Sequence, residues 1–389
     1  MEEKRLVPKR RFKDYLENWK LKKISDVGEI IGGGTPNTAI KEYWNGSINW
    51  FSPTEIGDKP YVFESQKKIT ELGLQYSSAK VLPAQKTVLF TSRAGIGDMA
   101  ILAKDAATNQ GFQSIVVKED SDVYFIYSMG FKIKEYALKN ASGSTFLEIS
   151  GKELSKAPVV VPEVKEQQKI GEFFRVLDER IANQERKIAK VKALKEAYLN
   201  EMFPQEGERV PKRRFQGFEG EWEVFLLGDV IISEAKGHVN ANMLGGTTPY
   251  LETEYLNGGK KSYVSAQKNV DKEDVLILWD GSNAGTVYHG FEGALGSTLK
   301  VYKPKYNGSF LYYFLKRHQK LIYTNYRTPN IPHVINTFTN EFEVIIPNLE
   351  EQEKIAAFFK NLDNQIEAEE AKLEKLKKMK EAYLEEMFV

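Results

Sequence analysis

Two stretches of the chain repeat apolar side chains at alternating spacings of four and three residues. The first seam lies within residues 166–204 and consists of Ile170, Phe174, Leu177, Ile181, Gln184, Ile188, Val191, Lys195, Tyr198 and Met202. The second lies within residues 351–389 and consists of Ile355, Phe359, Leu362, Ile366, Glu369, Leu373, Leu376, Lys380, Tyr383 and Met387. This spacing, kept for about four heptads, predicts two long helices that pair as a coiled coil. Two amphipathic helices that each pack on their own domain would show the same pattern, so that alternative stays open.

The two seams belong to nearly identical sequences that align without a gap. Residues 166–204 read EQQKIGEFFRVLDERIANQERKIAKVKALKEAYLNEMFP, and residues 351–389 read EQEKIAAFFKNLDNQIEAEEAKLEKLKKMKEAYLEEMFV. The string VPKRRF also occurs twice, at 7–12 and at 210–215. The outer frames repeat while the stretches inside them differ, which indicates one scaffold that carries two different variable domains.

The predicted fold class is α+β, with a pseudo-two-fold internal repeat. Two mixed α/β domains are joined by two long helices, which we expect to form an antiparallel coiled coil because each helix leads from one half of the chain to the other. The predicted boundaries are 1–165 for the first domain, 166–204 for the first helix, 205–350 for the second domain and 351–389 for the second helix.

Short runs of β-branched and aromatic residues between Gly, Asn and Asp predict strands inside both variable stretches. The candidate strands are Lys86–Phe90, Ser114–Lys118, Val159–Val161, Asp274–Trp279, Thr298–Tyr302 and Val344–Ile346. Short helices are expected at Phe125–Asn140 and Ser309–Tyr323.

The composition argues against several classes of protein. The 389 residues have a formal net charge of +1 and include no cysteine, which fits a reducing cytosol, so we expect a cytoplasmic protein. The chain shows neither the apolar core of a signal peptide nor an apolar run of ~20 residues that could span a membrane. The histidines lack metal-ligand spacing, and no P-loop, H-E-x-x-H or G-x-S-x-G string occurs. We therefore expect no catalytic, cofactor or metal site in this chain.

The strongest chemical signal is a stretch without Asp or Glu at 293–340. It holds six tyrosines and the cations Lys300, Lys303, Lys305, Lys316, Arg317, Lys320 and Arg327. Cations without competing anions suit phosphates, and interleaved aromatics suit nucleic acid. We predict a DNA-facing surface here, with Lys316, Arg317 and Lys320 on phosphates and with Arg327, Asn330 and His333 near bases. A solvated basic helix face beside core tyrosines is the alternative.

Further DNA-binding candidates lie in polar loops of both halves. Arg, Asn and Gln are the side chains that read base edges in the major groove, although each is also a common loop residue. The candidates are Lys67, Lys68, Ser92, Arg93, Asn109 and Gln110 in the first half, and Lys260, Lys261, Ser282 and Asn283 in the second.

Several strings combine into a recognisable frame. The first half reads GGTP at 33–36, YWNG at 43–46, INW at 48–50, SRAGIG at 92–97 and TNQGF at 108–112, and both long helices open with EQxKIxxFFxxLD. This frame resembles the specificity subunit of type I restriction–modification systems over essentially the whole chain. The second half departs from the pattern because DGSNAG at 280–285 stands in place of SRAGIG, so Arg93 has no arginine counterpart there.

The resemblance implies a DNA-binding subunit without catalytic activity. Each variable domain would read one half of a split, asymmetric site in double-stranded DNA. The two long helices would set the spacing between the halves and dock two modification (methyltransferase) subunits, through which restriction subunits join. S-adenosylmethionine is then expected in the methyltransferase subunit, and ATP with Mg in the restriction subunit.

Two other classes of function remain open on sequence alone. One is a non-enzymatic coiled-coil adapter with duplicated protein-binding modules. The other is a hydrolase or transferase with an unrecognised site.

The polar interruptions of the two seams predict a register for the helix pair. A polar residue in a seam needs a polar partner, and this requirement fixes the alignment of the helices. Lys195 is predicted to lie opposite Glu369, and Gln184 opposite Lys380.

Overall fold

The computed structural model describes residues 6–57, 59–143 and 147–389. Contacts divide the chain into two compact units. Unit 1 consists of residues 1–185 and 372–389, and unit 2 consists of residues 186–371. Each long helix therefore contributes one part to each unit, whereas the predicted boundaries treat the helices as separate segments.

Unit 1 is built mainly from short strands. They are β1 (Lys20–Lys23), β2 (Gly28–Gly32), β3 (Trp44–Phe51), β4 (Tyr61–Val62), β5 (Lys67–Ile69), β6 (Thr87–Phe90), β7 (Met99–Leu102), β8 (Ala106–Thr108), β9 (Gln113–Val117) and β10 (Pro158–Val161). Its helices are α1 (Ile24–Val27), α2 (Glu71–Gln75), α3 (Val123–Ser128), α4 (Gly130–Asn140), α5 (Gly151–Leu154) and the first part of α6 (Val164–Glu201). Single 3-10 turns lie at Lys41–Tyr43 and Pro53–Glu55.

Unit 2 has a matching set of elements. Its strands are β11 (Glu223–Leu226), β12 (Ile231–Lys236), β13 (Leu244–Leu251), β14 (Tyr263–Val264), β15 (Val275–Leu278), β16 (Val287–His289), β17 (Ala294–Leu295), β18 (Leu299–Pro304) and β19 (Glu343–Ile346). Its helices are α7 (Thr253–Leu256), α8 (Gly308–Arg317), α9 (Gln319–Asn325), α10 (Phe338–Glu341) and the first part of α11 (Leu349–Met387). Its 3-10 turns lie at Leu227–Val230 and Ala241–Met243.

The sheets of the two units share their topology except for β4, an extra edge strand in the larger sheet of unit 1. Unit 1 has the strand orders β2-β9-β6-β7-β4, β5-β3-β8 and β1-β10, and unit 2 has β12-β18-β15-β16, β14-β13-β17 and β11-β19. Both units even pair one inner strand in parallel, β3 with β8 and β13 with β17. The predicted α+β class and internal repeat are confirmed, and each candidate strand is present within one or two residues of its predicted ends.

The core of each unit includes the last residues of a long helix or the residue just beyond it. In unit 1, the Phe388 ring lies 5.2 Å from Phe125 and 5.7 Å from Phe174, centroid to centroid. In unit 2, Phe203 lies 5.5 Å from Phe310 and 5.8 Å from Phe359. Aromatic rings at these distances contribute dispersion and quadrupole attraction beyond the apolar area that they bury. The repeated string EMF therefore fixes the end of one long helix against the beginning of the other within each unit.

The two VPKRRF strings clamp the long helices. The second arginine of each string makes a bidentate pair with a fully buried glutamate in the first turn of a helix: Arg11 with Glu166, and Arg214 with Glu351, all four N–O distances being 2.7 Å. The hydrogen bond to Glu166 raises the pKa of Arg11, and burial opposes that rise. Guanidinium is the cation suited to such a site because its fork matches both carboxylate oxygens.

The first arginine of each string binds the end of the other helix. The amide of Arg10 donates to the carbonyl of Glu386 at 2.8 Å, and the amide of Arg213 donates to the carbonyl of Glu201 at 2.8 Å. The guanidinium groups lie over Tyr383 and Tyr198, at 5.1 and 5.2 Å from the ring centres. Each clamp thus holds one helix beginning and one helix end, which gives the antiparallel arrangement predicted from the sequence.

The helix openings explain two further repeated residues. The buried side-chain amides of Gln167 and Gln352 donate to the carbonyls of Pro162 and Pro347, at 2.9 and 2.8 Å. These bonds join each helix start to the strand before it. Asn348 also caps the second helix, because its Oδ1 accepts from the amide of Glu351 at 2.9 Å.

The seam of each helix faces inward, but the predicted register is wrong. All twenty predicted seam positions are buried or partly buried, and they include the ten in the middle of the helices: Ile181, Gln184, Ile188, Val191, Lys195, Ile366, Glu369, Leu373, Leu376 and Lys380. Lys195, however, pairs with Asp363, and Glu369 accepts from Lys187 at 2.8 Å. In unit 1, Lys380 pairs with Asp178 at 2.6 Å.

The error has a clear physical cause. Asp178 and Asp363 are the last residues of the repeated EQxKIxxFFxxLD opening, and each is oriented by a tyrosine of its own unit. Tyr124 donates to Asp178 at 2.8 Å, and Tyr313 donates to Asp363 at 2.7 Å. The tyrosine fixes the carboxylate at the seam, so the lysine pairs with this aspartate rather than with a polar residue on the a/d positions.

Candidate nucleic-acid interface

The polar loops of unit 1 meet at one end of its sheets. The amide of Asn109 donates to the carbonyl of Phe51 at 3.0 Å, and the amide of Ser92 donates to the carbonyl of Gly111 at 2.8 Å. Together with the bond from the amide of Gly34 to the carbonyl of Thr108 at 2.8 Å, these bonds bring together the loops 33–37, 52–57, 91–98 and 109–111. Gly33 is required there, because a Cβ would lie 1.9 Å from the carbonyl oxygen of Asn109. This approach accounts for the first glycine of the GGTP string.

Unit 2 gathers its loops in the same way. The amide of Gly296 donates to the carbonyl of Leu251 at 2.9 Å, and the amide of Trp279 donates to the carbonyl of Thr298 at 2.8 Å. Gly237 corresponds to Gly33, since a Cβ on it would lie 2.0 Å from the carbonyl oxygen of Gly296. The loops 237–240, 252–262, 279–286 and 296–298 therefore form the counterpart of the unit 1 surface, and we define these two loop clusters as the reading surfaces.

The loop 91–98 of unit 1 is fixed by its own hydrogen bonds. Thr91 Oγ1 donates to the carbonyl of Gly95 at 2.6 Å, and the amide of Asp98 donates to that hydroxyl at 2.9 Å. Lys134 of α4 anchors the Asp98 carboxylate at 3.0 Å. Ala94 has a φ of 53°, a left-handed conformation that a non-glycine residue seldom adopts. Such strain is often found where a loop must present a side chain.

Arg93 stands on this loop with its guanidinium uncommitted. It is partly exposed, and no hydrogen-bond or ion-pair partner for its side chain is present within 6–57, 59–143 and 147–389. Its neighbour across the loop cluster is the exposed Gln110, whose side chain pairs with the hydroxyl of Thr35. The amide of Ser92, which donates to the carbonyl of Gly111, places the loops of Arg93 and Gln110 side by side, and their contacts with DNA stay predictions.

Other predicted residues of unit 1 have structural partners. Ser92 is fully buried, with its hydroxyl 3.3 Å from Glu148, so the prediction that it contacts DNA is wrong. Asn109 stabilises its own turn, because its Oδ1 accepts from the amide of Gly111 at 2.8 Å. Lys68 pairs with Glu64 at 2.8 Å. Lys67 stays exposed, with its ammonium 5.9 Å from the centre of the Trp44 ring.

Glu64, the partner of Lys68, has a perturbed pKa. Hydrogen bonds from Lys104 and from Lys68 lower the pKa of Glu64 to about 2. Glu64 thus neutralises two cations beside the reading surface, which leaves fewer charges for phosphates than the sequence suggested.

The loop 279–286 of unit 2 differs in chemistry. Ser282 and Asn283 are exposed, and Asp280 pairs with Lys236 at 2.8 Å. A cleft of about 570 Å³ lies beside the loop. Its polar lining includes Thr253, Glu254, Asn257, Asp280, Asn283 and Thr298. This lining offers hydroxyl, amide and carboxylate groups but no cation.

Arg327 supports this loop through its guanidinium, and its predicted place near the bases stays a prediction. Its Nη1 donates to the carbonyl of Ser282 at 3.0 Å, and its Nε donates to the carbonyl of Tyr323 at 2.9 Å. Its guanidinium also lies 4.8 Å from the centre of the Tyr323 ring. A guanidinium bound to two carbonyls positions the loop and has few donors left for a base.

The neighbouring loop carries the other two predicted base readers. The amide of Gly281 donates to the carbonyl of Pro332 at 2.9 Å, which places the loop 328–333 beside the loop 279–286. Asn330 is exposed there. His333 is partly exposed, and its ring nitrogen lies 3.0 Å from the hydroxyl of Thr328. Asn330 thus joins Ser282 and Asn283 on the reading surface, whereas His333 mainly shapes its own turn.

The acid-free stretch 293–340 is not a DNA face throughout. Lys300 pairs with Glu234 at 2.9 Å, Lys303 lies 3.4 Å from Asp274, and Lys305 donates to the carbonyl of Asp229. Tyr302 and Tyr313 are core residues. The acids come from strands or turns that are distant in sequence, so a local absence of Asp and Glu did not mean an absence of counter-charges.

The cations at the end of α8 and the start of α9 also have hydrogen-bond partners in the part of the chain that the structure describes, with the exception of Lys320. Burial lowers the pKa of Lys316, and its ammonium donates to Gln319 at 3.1 Å. Arg317 donates to Gln205 at 3.2 Å. Lys320 is exposed. Lys316 and Arg317 thus have partners within the fold whereas Lys320 is exposed, and the phosphate contacts of all three stay predictions.

A small basic loop adjoins the cleft of unit 2. Lys260 and Lys261 are exposed and directly follow the glycine pair at 258–259. The ammonium of Lys261 lies 5.6 Å from the centre of the Tyr255 ring and 5.4 Å from that of Tyr263. Held between two rings, this cation is kept in place beside the reading surface.

Sequence reasoning missed several residues that build these surfaces. Thr35 was visible only as part of the GGTP string, and Glu254 and Asp280 carried no signal because isolated acids are common in loops. In the part of the chain that the structure describes, no group of three His, Cys, Asp or Glu side chains could hold a metal ion. None of the helices described there combines the length and apolar character needed to cross a membrane.

A comparison with protein families gives a match over most of the chain. The model of the type I restriction modification DNA specificity domain matches residues 16–193 and again residues 219–378. The two matched ranges coincide with the repeat in the sequence and in the sheet topology.

Curated relatives match over part of their length. The type I restriction enzyme MjaIX specificity subunit of Methanocaldococcus jannaschii is 33% identical over 265 residues, which are 62% of this chain and 59% of the relative. The EcoR124I/EcoR124II specificity subunit of Escherichia coli is 33% identical over 176 residues, 43% of this chain and 42% of the relative. In these two alignments the chain thus spans about half the length of the relatives.

Solved structures share the fold at low identity. The S subunit of a type I restriction-modification system from M. genitalium has a TM-score of 0.67 at 18% identity, over 98% of this chain and 99% of that one. A chain from a study of complex assembly in the type I R-M system has a TM-score of 0.57 at 18% identity, over 95% and 97%.

Proposed function

Because the chain belongs to the family of the type I restriction modification DNA specificity domain, we propose that it reads a split, asymmetric site in double-stranded DNA. Each reading surface contacts one half of that site. The observation that carries the proposal is the duplication itself: one topology and one set of clamps present two loop clusters of different chemistry. Two different surfaces on one scaffold suit a site with two different halves.

The chain recruits catalytic subunits and has no catalytic role of its own in this proposal. The outer faces of α6 and α11 dock two modification subunits, which bind S-adenosylmethionine and methylate adenine. Restriction subunits, which use ATP and Mg, join through that complex. The helices also set the spacing between the half-sites. A duplicated protein-binding adapter is less well supported, because the family match covers both reading surfaces.

Direct binding provides the first test. The purified chain is offered a library of duplex DNA with two randomised tracts and spacers of several lengths, and the bound fraction is sequenced. We expect a motif in each tract at one preferred spacer. Duplexes with either motif scrambled are the control and should bind with the salt-sensitive, non-specific affinity of a backbone contact.

Methylation provides the second test. The chain, its modification subunits and S-adenosylmethionine are incubated with the selected DNA. We expect adenine methylation at the split site only when both proteins are present. Methylation by the chain alone, or binding that ignores both motifs, would contradict the proposal.

A further inference from the structure

We infer that Arg93 reads a guanine in the half-site that unit 1 contacts. The inference rests on the proposed function and names the residue that sets part of its specificity. The Arg93 side chain is partly exposed, and no partner for its guanidinium is present in the described part of the chain. An arginine that is committed within the fold, such as Arg11 or Arg327, has carboxylate or carbonyl oxygens at hydrogen-bond distance.

The loop that carries Arg93 is held in one backbone conformation by its own contacts. Thr91 closes the loop through its hydroxyl, and the Asp98–Lys134 pair anchors it to α4. The residues after Arg93 are Ala94 and Gly95, both exposed and small. A slim, braced loop can approach the floor of a DNA groove, whereas bulky neighbours would keep the arginine at the level of the phosphates.

The local charges favour a base with acceptors. The two nearby acids have other partners, because Asp98 pairs with Lys134 and Glu148 accepts from the Ser92 hydroxyl, and neither forms an ion pair with Arg93 in the described part of the chain. Guanine offers two acceptors, O6 and N7, on its major-groove edge, and they match the guanidinium fork. Gln110 lies on the same surface and can supply a further donor or acceptor to a neighbouring base.

Unit 2 provides the contrast. At the corresponding loop it presents Ser282 and Asn283, and its arginine, Arg327, is bound beneath the loop. Asparagine pairs with the N6 and N7 atoms of adenine. The two half-sites are therefore read with different hydrogen-bonding groups, and a change at Arg93 affects only one of them.

The experiment uses the full chain and the randomised duplex library described above. For Arg93→Ala we expect one base pair in one tract to lose its preference for guanine, by about 5- to 150-fold, the range for a bidentate contact. For Arg93→Gln we expect the preference at that base pair to move towards adenine. Asn283→Ala is the matched variant and should alter only the other tract. Thermal unfolding of both Arg93 variants should match that of the parent chain, because the side chain has no partner in the fold.

Two outcomes would overturn the inference while leaving the proposed function intact. The first is an unchanged guanine preference in Arg93→Ala. The second is an equal loss of affinity for all sequences with a salt slope reduced by about 1, which identifies a phosphate contact. If the parent chain recovers no split motif at all, the proposed function fails, and the inference fails with it.

Discussion

Arg11 and Arg214 make the same pair of 2.7 Å hydrogen bonds to buried glutamates, whereas the loops at 91–98 and 279–286 share neither charge nor sequence. The clamps lie where a buried carboxylate admits one geometry and one partner. The loops lie at the exposed end of the sheets, where the main structural requirement is that they connect one strand to the next. The comparison shows that the two units conserve the contacts that orient the helices and leave the reading surfaces free to differ.

The arginines of the two loop regions differ in what their guanidinium groups contact. In unit 1 the loop is braced by a threonine and an ion pair, and its arginine is uncommitted. In unit 2 an arginine from a later segment braces the loop through two carbonyls. The same residue type is therefore free of partners among the described residues in one loop region and supports the loop in the other.

The largest expected effect is at the clamps. Arg11→Ala and Arg214→Ala each leave a glutamate charge buried without its partner, and such a loss typically costs about 3–5 kcal/mol. We expect similar losses in the two variants, each confined to its own unit. Hydrogen exchange of peptides at the two helix starts measures this unit by unit. A large loss in only one variant would break the equivalence of the clamps.

The brace beneath the second loop should give the next largest effect. Arg327→Ala removes charged hydrogen bonds to two carbonyls, one of them exposed to solvent, and we expect a combined loss of about 1.5–3 kcal/mol. We expect a relaxed preference in the half-site that Asn283→Ala alters, with the other half-site unchanged. Selection from the randomised library measures both. A change in the half-site that depends on Arg93 would contradict the assignment of Arg327 to unit 2 alone.

A smaller expected effect is a difference between the two units in how their stability depends on pH. All four histidines lie in unit 2, and burial lowers the pKa of His289 and of His318. A lowered pKa in the folded state means that stability is complete above the ordinary histidine pKa of 6.5 and declines as the pH falls below it. We expect unit 2, but not unit 1, to lose exchange protection between pH 7.5 and 5.5.

A histidine variant sharpens that measurement. His289 has the carbonyl of Asp274 and the hydroxyl of Ser309 at its two ring nitrogens, with Glu273 and Lys360 as nearby charges. His289→Gln keeps polar groups there but cannot take up a proton, so its loss of protection with falling pH should be smaller. An equal loss in both units of the parent chain would show that carboxylates, rather than histidines, dominate this range.

The smallest expected effect concerns phosphate contacts. Lys320→Ala should reduce the salt slope of DNA binding by at most about 1, because Lys320 is exposed. Lys316→Ala is the matched control: its lysine is partly buried against Gln319, so the variant should lose some stability without changing the slope. Equal slopes for the parent chain and Lys320→Ala would remove this helix from the DNA surface.

The secondary-structure elements agree with the sequence prediction much more closely than the candidate site residues do. Strand and helix positions followed from hydrophobic period and turn residues, which are local properties of the chain. The site did not, since Ser92, Lys316, Arg317 and Arg327 all have the residue types of a DNA surface but are occupied within the fold. Arg93, by contrast, lies partly exposed on its loop, and its contact with DNA stays a prediction.

The sequence by itself determined the duplication, the long helices with their inward seams and the α+β class, because repeats and periodicity are written along the chain. Only the tertiary structure decided the charge pairing. Lys195 meets Asp363 rather than Glu369, and Lys300 meets Glu234, because each counter-charge comes from another element of the fold. Which cations remain free for DNA depends on those distant partners, and a carboxylate brought within 3 Å outweighs any pattern of neighbouring residues along the chain.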